Sequence, residues 1–187
     1  MKIIPFINKA LERIETKRPK KRSYFYISEA GKSPFEIYKS MHRNYKISPR
    51  LKRIFDNGKC VHKRIAGYLE KQDVVKAKEV RINNKLFHGR ADAIVFLDGR
   101  VAVLEIKSMN KKCFYNLKKY CSRPAYLQLQ LYMHFMKIDD GIILVECKDS
   151  QRLKEFYIRR KPRVAKEIIR DFSKLKKKYV KSGVMAT

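Results

Sequence analysis

The chain has 187 residues and sets 46 Lys and Arg against 18 Asp and Glu, a formal net charge of +28, yet 44% of it is hydrophobic and 11% aromatic. That length suits one domain with extensions at its ends, and the apolar content suffices for a core, which excludes a disordered polycation. So large a surplus repels itself unless a polyanion is near, so nucleic acid is the default partner, ahead of an anionic membrane and of acidic proteins.

No apolar run approaches the roughly 18 residues of a spanning helix, and Pro5, Asn8, Lys9 and Glu12 interrupt the opening MKIIPFINKALERIE. Neither a signal peptide nor a membrane segment is expected, and Glu12 and Glu15 count against an organelle transit peptide. Cys60, Cys113, Cys121 and Cys147 form no CxxC pair and have no His at finger spacing. They read as simple thiols in a reducing, cytoplasmic compartment.

In chain order, residues 1–23 read as a basic N-terminal arm or helix, with Thr16 to Arg22 a solvated connector and regular order beginning near Tyr24. Residues 24–187 form the domain. SPFEIYKSM, from Ser33 to Met41, predicts a short helix opened by Ser-Pro with Glu36 in its first turn. Val61, Ile65, Tyr68 and Leu69 recur at helical spacing and predict a helix over Gly58 to Lys71 that carries His62. Strand-like surroundings at Val80, Ile82, Leu86 and Phe87 lead into GRADAIVFLDGRVAVLEIKSM, two aliphatic runs flanking Asp98-Gly99. That dipeptide signals a type I′ hairpin, and runs apolar on both faces suit central strands. Pro124 opens a mostly apolar helix over Ala125 to Lys137 that packs on the sheet. Strands follow at IILVEC and around Glu155 to Ile158, and Pro162 starts a last helix striped by Val164, Ile168, Ile169, Phe172 and Leu175 with a lysine-rich end. The fold class is α/β, a central mixed sheet flanked by helices.

The hairpin carries the chemistry. A two-residue turn at Asp98 and Gly99 pairs residues whose numbers sum to 197, so Asp92 faces Glu105, with Cβ atoms about 4.5 to 5.5 Å apart. Lys107 falls on the face of Glu105, at the end of an apolar strip of Ile94, Phe96, Val101 and Val103. Opposed carboxylates are unfavourable in a sheet. A divalent cation removes the penalty, since Mg²⁺ or Mn²⁺ takes one or two carboxylates together with water and phosphate oxygens. A neighbouring lysine can orient the attacking water or stabilise charge on phosphorus, so the chemistry expected is metal-assisted phosphodiester hydrolysis. The bland alternative is surface charge at a strand end.

The ordered set Asp92 and Glu105-Ile106-Lys107 resembles the PD-(D/E)XK nuclease superfamily, in its RecB-like branch of CRISPR-associated nucleases and exonuclease V. NGKCVHKRIAGYLE resembles the branch's upstream helix, FHGRAD its glycine-led second motif, QLQLY its Gln-xxx-Tyr motif and SEAGKSPFEIY its opening segment. The resemblance runs from about Ser28 to Ile158. It implies a restriction-endonuclease-like core and a divalent-metal-dependent deoxyribonuclease. His62, Asp92, Glu105 and the Ile106 carbonyl would hold Mg²⁺ or Mn²⁺, Lys107 would assist catalysis, and Gln128 and Tyr132 would position the site or the DNA. Ser33 stands where cluster-bearing members place a cysteine, and no cysteine follows Cys147. No iron-sulfur cluster is expected, and its bracing would fall to packing between the N-terminal and C-terminal helices.

Arg90, in the glycine-led motif, joins the DNA-binding candidates. Tyr115 and Tyr120, interleaved with lysines after the active strand, suit stacking on unpaired bases, which favours single-stranded DNA or DNA ends. KRPKKR and KLKKK suit phosphate contacts that carry no sequence information. His42, His88, His134 and Gln130 keep structural readings. Two other functions stay open: a nucleic-acid-binding module that retains the fold without catalysis, and a nuclease acting on RNA. Exonuclease against endonuclease action and oligomeric state are not legible.

Overall fold

The computed structural model describes residues 2–13, 22–42 and 47–185. Its elements are α1 (Ile4–Arg13), β1 (Phe25–Tyr26), α2 (Pro34–His42), α3 (Pro49–Glu70), β2 (Val75–Asn83), β3 (Phe87–Leu97), β4 (Arg100–Met109), α4 (Lys111–Asn116), α5 (Arg123–Met136), β5 (Asp140–Cys147), β6 (Leu153–Arg159) and α6 (Pro162–Lys181). The six-stranded sheet runs β1-β3-β4-β5-β6, with β2 on the other edge of β3. Pairings of β1 with β3 and of β4 with β5 are parallel and the rest antiparallel, so the sheet is mixed.

Each face of the sheet is covered. Ala93, Val95, Ala102, Leu104 and Ile106 pack against Val61 and Ile65 of α3. On the other face Phe87, Ala91, Val103, Ile143 and Val145 meet α5 and the stripe Ala165, Ile168 and Phe172 of α6. The helix α5 is buried almost all round, as its apolar sequence requires.

The Asp98-Gly99 hairpin forms in the expected register, from Leu97↔Arg100 to Ala93↔Leu104. Asp98 and Gly99 have φ of 49° and 74°, as a type I′ turn demands. The ladder ends at Ala93↔Leu104, however, one pair short of Asp92 and Glu105, so the expected cross-strand carboxylate pair does not form. Strand alternation also breaks there. Ala91 belongs to the α5 face and Ala93 to the α3 face, and Glu79, opposite Asp92 by register, has φ of 51°. A paired irregularity of this kind re-aims a side chain.

Three further elements depart from expectation. Regular structure begins at Ile4 rather than near Tyr24: α1 packs on α3, with Lys52 Nζ donating to the Leu11 carbonyl at 2.5 Å and Arg53 to Asn8 Oδ1 at 2.9 Å. The helix bearing His62 starts at Pro49, not Gly58, because Ser48 Oγ accepts from the Leu51 N–H at 3.3 Å and Pro49 occupies the first turn. After β4 a short helix, α4, replaces a loop, capped by Asn110 accepting from the Cys113 N–H at 2.9 Å. Of the connector Thr16 to Arg22, all but Arg22 lies outside the described residues, and Arg22 pairs with buried Glu29 at 2.8 Å. The helices α2 and α6 are joined where Tyr179 Oη donates to the Pro34 carbonyl at 2.6 Å.

Candidate active site

The edge of β3 is shared by two strands. Phe87 and His88 pair with β1, and the residues from Ala93 onward pair with β4. Between them lies a fork where backbone groups need other partners. Tyr132 of α5 fills part of it: its hydroxyl accepts from the Arg90 N–H at 3.1 Å and donates to the Arg90 carbonyl at 2.9 Å. Burial, and then the negative charge of Glu105, raises the Tyr132 phenol above its ordinary value, which keeps it a neutral donor. Asp92 fills the rest, its Oδ2 accepting from the Ile106 N–H of β4 at 2.7 Å. Its Oδ1 lies 2.9 Å from His62 Nδ1 on α3.

Glu105 is 3% exposed. Its Oε1 accepts from Lys107 Nζ at 2.7 Å and from Gln128 Nε2 at 2.8 Å, and Lys107 Nζ also donates to Gln128 Oε1 at 2.8 Å. The three side chains thus close a ring of hydrogen bonds between β4 and α5. The other oxygen, Oε2, is buried with no donor. Burial is the main reason the carboxyl is pushed up to about 7, with Lys107 opposing the shift and Asp92 adding to it.

His62, Asp92, Glu105, Ile106, Gln128, Tyr132 and Arg90 all line one cleft of about 1430 Å³. Lys107 joins them through its bonds to Glu105 and Gln128. Arg90 turns to the rim, where it pairs with Glu79 at 2.9 Å. Tyr115 and Tyr120 are not among the lining residues. Tyr115 packs edge-on against Phe114 and accepts from Arg152 at 3.3 Å, and Tyr120 is 73% exposed with Lys119 over its ring. The turn into α4 separates both from the fork. Gln130 ties α5 to the start of α6, donating to the Arg159 carbonyl at 2.9 Å and accepting from the Lys161 N–H at 2.7 Å.

The expected four-ligand metal cage is not preformed. Among the described residues no three His, Cys, Asp or Glu side chains converge as a cage. The reason lies in the partners: His62 and Asp92 are engaged with one another, and Glu105 is drawn to Lys107 and Gln128. The donors nevertheless suit a hard divalent cation, with carboxylates, an imidazole and a buried carboxylate oxygen that has no other positive partner.

Sequence reasoning did not single out Lys63, Arg81 and Lys148, which line the cleft and make no ion pair among the described residues. Alternation along β2 carried the signal for Arg81, an exposed position of that strand. Lys63 and Lys148 sit at a helix flank and a strand end, where no periodicity marks them.

No protein-family model matches the chain, and no curated protein matches it by sequence. Solved structures do share its shape. The crystal structure of SSO0001 matches with a TM-score of 0.62 at 20% identity, covering 94% of this chain and 87% of that one. The alkaline exonuclease LHK-Exo from Laribacter hongkongensis matches with a TM-score of 0.61 at 12% identity, covering 88% and 91%. The complex of LHK-Exo with dAMP gives 0.57 at 17% identity, covering 89% and 95%. At such identities the likeness is one of fold. The chain has the mixed α/β architecture of a known exonuclease, and its fork gathers the side chains of the sequence motifs.

Proposed function

We propose that the chain is a divalent-metal-dependent DNA nuclease of the RecB-like type that hydrolyses phosphodiester bonds on single-stranded DNA or at DNA ends. The observation that carries this reading is Glu105: a buried carboxylate with one oxygen held by Lys107 and Gln128 and the other lacking any donor, beside the Asp92–His62 pair. A structural role explains none of that cost, whereas a cation held by His62, Asp92, Glu105 and the Ile106 carbonyl offsets it. Mg²⁺ or Mn²⁺ bound there would supply a Lewis acid that neutralises phosphate charge and lowers the pKa of water.

The protein's own groups do the rest. Lys107 Nζ, anchored at two acceptors, donates to the incoming water or to the phosphoryl oxygen that gains charge. Gln128 fixes the rotamer of Glu105 through its amide, and Tyr132 keeps the fork open by holding Arg90. Lys63, Arg81 and Lys148 draw the phosphodiester backbone into the cleft. The dAMP complex of LHK-Exo concerns a protein of the same fold and supports a nucleotide-sized occupant.

The test is cleavage of end-labelled linear and circular single-stranded and duplex DNA with Mg²⁺, Mn²⁺ or EDTA. Wild type is expected to cleave only with metal, while D92N and K107A lose cleavage but bind DNA within about tenfold of wild type. Retained cleavage by either variant overturns the assignment. Binding without cleavage under any metal would identify a DNA-holding module instead.

A further inference from the structure

The lysine-rich end of the chain plays no part in the cleft, yet its placement is ordered. On α6, Arg163, Lys166, Arg170, Lys174, Lys177 and Lys181 recur at steps of three and four residues, and every one of them is exposed. That spacing puts them on one stripe about 27 Å long at 1.5 Å per residue. Only Arg170 makes an ion pair among the described residues, an exposed one with Asp171 at 3.4 Å, and such pairs are weak. Lining up like charges on one helix face is destabilising for the helix. The fold alone does not call for it, because α6 is already anchored by Ala165, Ile168, Phe172 and Tyr179 on its opposite face.

We infer that this stripe of α6 is a second nucleic-acid surface, outside the cleft, that holds duplex DNA through its phosphates. The stripe spans about eight base pairs at 3.4 Å per phosphate of one strand. An anionic membrane fits it poorly, since the apolar residues of α6 are turned into the core and none accompanies the cations outward to enter a bilayer. The stripe also continues toward the cleft: Lys176 Nζ donates to the Lys85 carbonyl in the β2–β3 turn at 2.6 Å, two residues from the cleft-lining Asn83. The choice of DNA over RNA rests on the function proposed above; the surface itself reads phosphate.

The test measures binding of a blunt 24-base-pair duplex in EDTA across a range of salt, so that cleavage plays no part and either conclusion can fail alone. The variant R170Q/K174Q/K177Q/K181Q is compared with K2Q/K9Q/K32Q/K39Q, which removes equal charge from scattered exposed lysines. The expected result is that the α6 variant flattens the slope of log K against log salt by about 3, near 0.9 per phosphate lost, and weakens binding at least tenfold at 0.1 M salt. The scattered variant is expected to change the slope by less than about 1. Replacing the same α6 positions by R170K/K174R/K177R/K181R should restore binding. Equal losses in both Gln variants, no loss in the α6 variant, or a loss confined to phosphatidylserine vesicles would each overturn the inference.

Discussion

Replacing Glu105 by Gln tests the central claim about the site without a substrate. The wild-type carboxyl is pushed from its ordinary 4.5 to about 7 by burial, so between those values the folded protein holds a proton that the unfolded chain has released. Stability therefore falls as pH rises from about 4.5 to about 7 and stays lowered above it. The gap corresponds to about 3 kcal/mol at 1.4 kcal/mol per pH unit. The amide that E105Q introduces would keep an oxygen to accept from Lys107 and Gln128 and carries no charge to desolvate. In EDTA at pH 8, E105Q should melt roughly 6 to 10 °C above wild type, given 2 to 4 °C per kcal/mol for a chain of this size. At pH 5 the two should melt within about 2 °C of each other, on the same scale. Mn²⁺ should raise the wild-type Tm at pH 8 and leave that of E105Q unmoved. Parallel melting of the two proteins across this pH range would refute the account of a strained, cation-seeking carboxylate.

Other outcomes follow from the same geometry. The wild-type affinity for Mn²⁺, measured by calorimetry, should rise about tenfold between pH 6 and 8 with most of the gain below 7, as the Glu105 proton ceases to compete, and H62A should bind more weakly at every pH. Y132F removes the hydroxyl that satisfies both backbone groups of Arg90; urea unfolding should show a loss of about 1 to 3 kcal/mol, and the Arg90 amide should exchange faster with solvent. G89A brings a Cβ within 2.9 Å of the buried Ile27 side chain, so the same urea assay should report a loss of about 1 to 3 kcal/mol from overpacking.

The parts legible in the sequence were those governed by short-range pattern. Asp98-Gly99 fixed both the hairpin and its register, because only a turn with positive φ at two residues closes it. The stripe of α6 and the apolar α5 announced their buried faces. What pattern could not show was the end of the β3–β4 ladder at Ala93. Extrapolating the pairing by one step placed Asp92 opposite Glu105, whereas competition from β1 for the same edge of β3 lets the strands part there. That competition is tertiary, carried by the two residues of β1, and no local window contains it. The start of α3 was a different kind of omission: Ser48-Pro49 bears the same signature as Ser33-Pro34, but Gly58 draws the eye as a boundary when it is a helix interior.

The fork in β3 also bears on transplantation. A designer copying the His, Asp, Glu, Lys, Gln and Tyr side chains onto an unbroken sheet would find the Ile106 amide already bonded to a neighbouring strand and Arg90 with no need of a phenol. Asp92 would then have no tether, and Tyr132 would bury a hydroxyl for nothing. The unit that must be moved is the missing stretch of ladder together with the groups that occupy it, so a scaffold should be chosen for where two strands compete for one edge before any side chain is placed.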